Sequence, residues 1–583
     1  VSRRRGAVAL LVLLGLLGVT TGCVSLPEAG PVVETGAGSG DAEEVGQYYF
    51  DPPPPPDGAS PTEIVDRFLD AMTAFPVTTS VARQYLTPEF QESWSPKDGI
   101  ITYSDFLSPR GSSRVTVTLV GAARLDGAGR WRGPLPAYDE VLSFPVELVD
   151  GQYRIASAPD ALVVPQSWFE QRYQRVALYF FDPNARVLVP EPAFVPRGDQ
   201  LVSNLVSALL SGPGPELSRV ATTFLPAGSS VELSVPVGDV VDISIDASGS
   251  APAPTDEAVR LIVAQLAWTL RQVPTIQRFR VSIDGRPMQL PGGLTEFDVE
   301  AGPEYDPAGY QATARLFGLR DGLLVSGGSP DALEPTDGPL GTRDAGVRSF
   351  AVDLDGTTVA AVADSGATML RAPVRGVEET AVPVVTGATD LLPPAWDVSG
   401  RLWLVDRTAA GARFSTVTGE GRPLPLRIPG VSGSDVRSFL VSRDGSRVVA
   451  VVRTSSGDQV RVSRVRYDQN RLVSASASQR LRWDGGEDVR IRALGWRTPT
   501  SVAVLHRLAD ELFEVRALSV DGAPAGAEAA ATTLRGRFVG LAGTPVASGT
   551  VWAVTRTGLV DASSQTRDVV GLPAGVGSVR YVG

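Results

Sequence analysis

One short pattern returns along the last part of the chain and restricts the architecture there more than any other feature of its 583 residues. Ser349-Phe350-Ala351-Val352-Asp353-Leu354-Asp355-Gly356, followed by Val359-Ala360-Ala361-Val362, comes back as Ser438-Phe439-Leu440-Val441-Ser442-Arg443-Asp444-Gly445 followed by Val448-Val449-Ala450-Val451. Weaker copies are Ala395-Trp396-Asp397-Val398-Ser399-Gly400 with Leu402-Trp403-Leu404, Leu494-Gly495-Trp496 with Val502-Ala503-Val504-Leu505, and Leu541 to Gly549 with Val551-Trp552-Ala553-Val554. A spacing of roughly 45 to 50 residues is that of one four-stranded propeller blade, and each Asp-Gly or Ser-Gly supplies a hairpin turn. The five copies predict an incomplete or small all-β propeller over 346–583. Strand material at Leu323-Leu324-Val325, within a connector at 293–345, either completes another blade or closes the ring with the C-terminal strands.

Two mixed units precede it. At Ser60 a capping box with Pro61 and Glu63 opens a helix carrying Ile64, Val65, Phe68, Leu69 and Met72 at helical spacing. A second helical stretch holds Tyr85, Leu86, Phe90 and Trp94, and alternating strands follow at Val115 to Val120, Tyr138 to Leu148 and Gln152 to Ser157, the last two joined at Asp150-Gly151. Helices followed by an antiparallel sheet predict an α+β domain over 60–174; in shape it resembles the cone-shaped nuclear-transport-factor-like group. The unit 175–292 alternates strands with two apolar helices. Its Leu209-Leu210-Ser211-Gly212-Pro213, Leu225-Pro226-Ala227-Gly228, Asp242-Ile243-Ser244 and Ile283-Asp284-Gly285 resemble the α/β GerMN domain named from spore-germination proteins.

Cys23, the only cysteine, follows Arg3-Arg4-Arg5, an apolar run from Ala7 to Val19, and Thr20-Thr21-Gly22. A basic start, an apolar stretch of about 13 residues and small residues before a cut describe a secretory signal rather than a span of about 20 apolar residues. The small residues resemble the lipobox of bacterial lipoproteins, in which the thiol takes a diacylglyceryl group and cleavage falls between Gly22 and Cys23; Thr20 stands where leucine is usual, with Val19 beside it. The competing readings are an uncleaved anchor helix and an ordinary secreted protein with a stray thiol. Residues 1–22 are read as signal peptide and 23–59 as a tether, flexible where Gly-rich and a polyproline II spacer at the five prolines between Asp51 and Asp57.

The formal charge is −12, and no basic run remains after Arg5, so a surface that tracks nucleic-acid phosphates has no support. His506 is the only histidine. It falls in a blade strand with no Gly-x-Ser-x-Gly elbow nearby, so Ser–His catalysis has no basis, and it is read as a partly exposed strand residue. One histidine and one cysteine cannot build an ordinary zinc site, and no cofactor is expected. Asp353-Leu354-Asp355-Gly356 puts its glycine fourth rather than sixth, the wrong place for a calcium loop. Trp396, Trp403, Trp496 and Trp552 recur at the blade period and are read as packing between blades rather than as sugar platforms. Spacing does not test whether two acids converge for glycoside hydrolysis. An envelope glycan-binding protein or a propeller-based carboxylate hydrolase is therefore the alternative function.

Taken in order, the lipobox, Cys23-Val24-Ser25-Leu26-Pro27-Glu28-Ala29-Gly30-Pro31-Val32, the GerMN-like unit and the repeat domain resemble the LpqB lipoproteins of actinobacteria over essentially the whole chain. The resemblance implies attachment to the cell membrane through lipid on Cys23 at the extracytoplasmic face, and the missing catalytic residue sets lead to the expectation of a protein that is not an enzyme. It also implies a role beside the MtrAB two-component system, in which the lipoprotein contacts the extracellular part of the MtrB sensor kinase and alters signalling to MtrA. A purely structural envelope protein is the third expectation.

Overall fold

Ser60 accepts a hydrogen bond from the Glu63 amide at 3.3 Å, Pro61 occupies the first turn, and the helix Pro61–Ala71 buries Ile64, Val65, Phe68, Leu69 and Ala71. The cap and the apolar stripe together set where this helix starts and which face turns inward. The computed structural model describes residues 50–583 apart from 227, 234–237, 248–253, 377–379, 420, 469–470, 484–487, 525–530, 547 and 564–567.

Phe68 anchors the core of the first unit, with ring centres 6.5 Å from Tyr85, 5.5 Å from Trp94 and 6.1 Å from Phe144. Two four-stranded sheets enclose it, where the sequence predicts one. Asp105–Arg110, Arg114–Val120, Val141–Val149 and Gln152–Ile155 pair in that order, the last two joined at Asp150 and Gly151, whose φ angles of 50° and 78° fit a tight hairpin. The second sheet runs Trp131–Pro134, Ala123–Asp126, Gly99–Tyr103, Leu162–Pro165, its last pair parallel. Gly99–Tyr103 is buried on both faces, so it carries no alternation from which a strand is read.

The proline run read as a spacer lies against this unit instead. Phe50 and Phe75 exchange backbone hydrogen bonds of 3.1 and 3.0 Å, and the Tyr85 hydroxyl donates to the Pro53 carbonyl at 2.9 Å. A proline-rich segment keeps its carbonyls free of internal bonds, and a tyrosine at the rim of a core satisfies one of them. The tether assigned to 23–59 is thus corrected at its C-terminal end, since the chain is docked from Phe50 onward.

In the second unit a long hairpin, Tyr173–Phe181 with Leu188–Pro196, and a mixed sheet around Val240–Asp246 and Arg278–Ile283 lie on either side of the helix Asp256–Leu270, which is buried almost all round. Such a helix tolerates a polar residue only if every polar atom is bonded. Gln265 meets this: its Oε1 accepts from the Phe224 amide at 3.1 Å and its Nε2 donates to the Tyr179 carbonyl at 3.0 Å, fixing the hairpin to the helix.

The described residues of the third unit form six blades. Blades 1 to 5 begin with the strands Val347–Val352, Ala395–Trp396, Asp435–Val441, Ile491–Thr498 and Gly540–Ala542, each the innermost of its sheet. Blade 6 is assembled from both ends: Leu316–Arg320, Leu323–Gly327 and Glu334–Pro335 supply its outer strands, and Val576–Arg580 its innermost. The segment 293–345 therefore does both things left open for it, completing a blade and closing the ring. Each neighbouring pair of blades shares an apolar cluster, such as Phe317, Phe350, Val352 and Val582 between blades 6 and 1.

Candidate functional site

The Asp-Gly and Ser-Gly repeats gather on the face of the ring that meets the second unit. Gly356, Gly400 and Gly445 have φ of 79°, 66° and 74°, a left-handed backbone that glycine adopts without strain. The acid beside each locks the turn. Asp353 Oδ1 accepts from the Thr357 and Thr358 amides at 2.8 Å, Asp397 Oδ1 from Ser399 and Arg401, and Asp444 Oδ1 from Ser446. Burial raises the pKa of both Asp353 and Asp397; for Asp397, Arg401 at 3.0 Å and the Trp403 indole at 3.0 Å oppose the rise. These are turn-locking carboxylates.

On this face the hairpin of the second unit is held by charge. Glu191, at its middle, is buried and receives Arg464 Nη2 at 2.7 Å and Arg447 Nη2 at 3.3 Å, while Arg447 also donates to the Pro190 carbonyl. Burial pulls the Arg447 pKa down, and the neighbouring Arg464 adds to this; Asp444 and Glu191 counter it. Arg175 reaches Ser519, Asp521 and the Pro524 carbonyl of blade 4. Beside this lock lies a small cleft of about 110 Å³ between the hairpin tip and the turns of blades 2 and 3, lined by Asp182, Asn184, Arg186, Val398, Ser399 and Ser446. The Asp182 carboxylate caps its own turn through the amides of Asn184, Arg186 and Val187.

Above the ring axis Arg443 forms a second tie. Its Nη1 donates to the Ala308 carbonyl at 2.8 Å, and its Nη2 to the Val582 carbonyl at 2.8 Å and Thr544 Oγ1 at 3.2 Å. One guanidinium thus holds the incoming connector, the closing segment and blade 5. Burial brings its pKa down to about 10, with Asp306 opposing the change.

Sequence reasoning did not single out Glu191, Arg447, Arg464 or Arg443. The legible signal is a charge interrupting an apolar strand, as Glu191 does between Pro190 and Pro192 and Arg447 does before Val448-Val449. Cys23 and Gly22 lie outside the described residues.

His506 is not partly exposed but buried, a correction to the sequence reading. Its Nε2 is 2.7 Å from Glu514 Oε2, and its ring stands 4.8 Å edge-on from Trp483. An opposed carboxylate on the neighbouring strand allows the imidazole to be enclosed. Burial pushes the Glu514 carboxyl up, but hydrogen bonds from Arg516 and His506 outweigh it and leave the pKa below 4.5. A depressed carboxyl pKa stabilises the fold above the unfolded value and loses that contribution as pH falls through the folded one. Glu514→Gln is therefore expected to flatten the fall in denaturation midpoint between about pH 6 and about pH 3, read from guanidinium titrations of both proteins.

The tryptophans are used within the ring. Trp396 Nε1 donates to the Ala351 carbonyl of blade 1 at 3.4 Å and Trp496 Nε1 to the Val441 carbonyl of blade 3 at 2.9 Å, tying innermost strands across the seam. Trp552 bonds the Tyr581 hydroxyl at 3.1 Å, and Trp403 is fully buried.

Three family models match the chain in order: the N-terminal domain of lipoprotein LpqB at residues 54–170, a sporulation and spore germination domain at 177–289, and the lipoprotein LpqB beta-propeller domain at 322–565. Lipoprotein LpqB of Thermobifida fusca is 29% identical over 574 residues, covering 88% of this chain and 89% of its own. That of Nocardia farcinica is 30% identical, covering 85% and 86%. Among solved structures, the first GerMN domain of the sporulation protein GerM from Bacillus subtilis is 21% identical, covers 21% of this chain and 94% of its own, and superposes with a TM-score of 0.18. The matches run in order through all three units, and the chain belongs to the LpqB lipoprotein family.

Proposed function

We propose that this protein is a non-catalytic accessory of a two-component sensor kinase of the MtrAB type, anchored by lipid on Cys23 at the extracytoplasmic face of the cell membrane. It acts by touching the extracellular part of the kinase. The observation that carries the reading is the outer face of the first sheet. Leu107, Thr118 and Val141 lie opposite one another across three strands, and Val120 shares their face; the three apolar residues are 53%, 48% and 44% exposed for Leu107, Val141 and Val120. Tyr138, more exposed still, leads into the Val141 strand. Apolar side chains held in solvent on a rigid sheet fit a contact surface better than a free one. We read the unit beneath them as nuclear-transport-factor-like, with the helix Pro61–Ala71 closing the cone.

Membership of a lipoprotein family supports the anchor, and among the described residues no helix is long and apolar enough to cross a membrane. A membrane tether places the protein beside its receptor at effective concentrations on the order of millimolar, so a weak contact suffices. A coupling of about 1 to 3 kcal/mol then shifts a kinase equilibrium roughly 5- to 150-fold.

The test has two arms. Binding of the mature chain to a sensor-kinase ectodomain is expected to weaken about tenfold or more, roughly 1.4 kcal/mol, on combining Leu107→Asp with Val141→Asp; equal affinity would remove this surface from the contact. In cells, Cys23→Ala is expected to change regulator phosphorylation, and unchanged signalling at equal export would sink the tether.

A further inference from the structure

Arg580 differs from the other interior arginines of the propeller. It stands on Val576–Arg580, the innermost strand of blade 6, opposite Phe317 in the pairing, and its guanidinium lies 5.4 Å from the ring centre of Phe350 on the innermost strand of blade 1. Both strands border the axis of the ring. Arg401 is paired with Asp397, Arg447 with Glu191, and Arg443 is bonded to three oxygens. Among the described residues no carboxylate, carbonyl or hydroxyl accepts from Arg580: its Nε is shut off from water without an acceptor, and its terminal nitrogens make no hydrogen bond or ion pair.

The aromatic face of Phe350 attracts such a cation but offers no acceptor. An enclosed charge without a counter-ion costs several kcal/mol, and here burial alone brings the arginine pKa down to about 10. The side chain is nonetheless not sealed, because part of its surface stays accessible to solvent. The guanidinium is thus half-buried and unpaired, with its Nε covered and a part of the side chain within reach of solvent.

We infer that the axis of the propeller holds a site for a small oxyanion, a carboxylate or a phosphate, built on Arg580. The two Nη groups present the planar fork that takes such an anion through paired N–H···O bonds. Phe350 offers its ring 5.4 Å from the guanidinium carbon but no oxygen to bond it. Glu191 and Arg447 are not part of this site, and it is independent of the kinase contact, so either can fail without the other.

The mature chain is titrated with inorganic phosphate and, separately, with acetate at constant ionic strength, following heat and melting midpoint. One saturable site is expected for at least one of them, with a rise in midpoint that follows the ligand concentration; the anion that binds tells a phosphate site from a carboxylate site. Arg580→Gln is expected to weaken binding about tenfold or more, or roughly 1.4 kcal/mol, and Arg537→Gln, at an exposed arginine, to leave it unchanged. Arg580→Lys keeps the charge and loses the fork, and is expected to retain only part of the affinity, which decides the matter if the glutamine variant does not fold. No saturable binding of either anion to the native chain would overturn the proposal. So would equal affinity in native and Arg580→Gln proteins, or in native and Arg580→Lys proteins if only the lysine variant folds.

Discussion

Deleting Val576–Gly583 is expected to abolish the cooperative unfolding of the propeller and to make the chain self-associate. The segment supplies the innermost strand of blade 6, so its removal leaves Leu316–Arg320 as an open edge in the middle of a ring. Exposed edges of that kind recruit other strands. Val576, Val579 and Val582 are all buried, and burial of a valine side chain contributes about 1.5 to 3 kcal/mol. The deletion also takes from Arg443 the Val582 carbonyl that it bonds at 2.8 Å. Gel filtration and a thermal melt check this. A variant that stays monomeric and melts within about 2 °C of the full chain, the equivalent of roughly 1 kcal/mol for a unit of this size, would show the closing strand to be dispensable.

Glu191→Ala is expected to destabilise the junction of the second unit and the propeller by about 3 to 5 kcal/mol, because removing one partner leaves buried cations without compensation. Two arginines depend on this one carboxylate, at 2.7 and 3.3 Å. Unfolding in urea, monitored by Trp268 of the second unit and Trp496 of the propeller in single-tryptophan backgrounds, is expected to separate from one transition into two. Replacing Glu191, Arg447 and Arg464 together by apolar residues of similar volume is expected to restore most of the loss, since the cost lies in the unpaired charge rather than in the missing bridge. If the single substitution costs less than about 1 kcal/mol, the value of an exposed pair, the charge lock is not what holds the two units together.

The blades were legible because their physics is local. An Asp-Gly turn, a β-branched run and a recurring tryptophan each lie within a few residues of one another, so Ser349–Gly356 and Ser438–Gly445 announce the same hairpin twice. The closing blade was only half legible, since its innermost strand arrives from the far end of the chain. Gly99–Tyr103 escaped for a different reason: a strand covered on both faces has no period to read. The junction was invisible because Glu191 and Arg447 lie 256 residues apart, and nothing in either neighbourhood names the other. His506 shows the same limit in miniature. Its strand was recognisable, but its burial is decided by Glu514 across the pairing and by Trp483 against the ring. The lipidation motif around Cys23 was read entirely from local order.

Arg443 also bears on how long the folded protein lasts. Its three acceptors sit 101 to 139 residues away along the chain, and contacts of such separation form only after long loops have closed. Interactions made after the transition state leave the folding rate almost untouched and slow unfolding instead. A buried guanidinium that joins the connector, blade 5 and the closing segment thus acts on lifetime more than on speed of assembly. Wherever an opened ring meets proteases, that lifetime is the form of stability that counts.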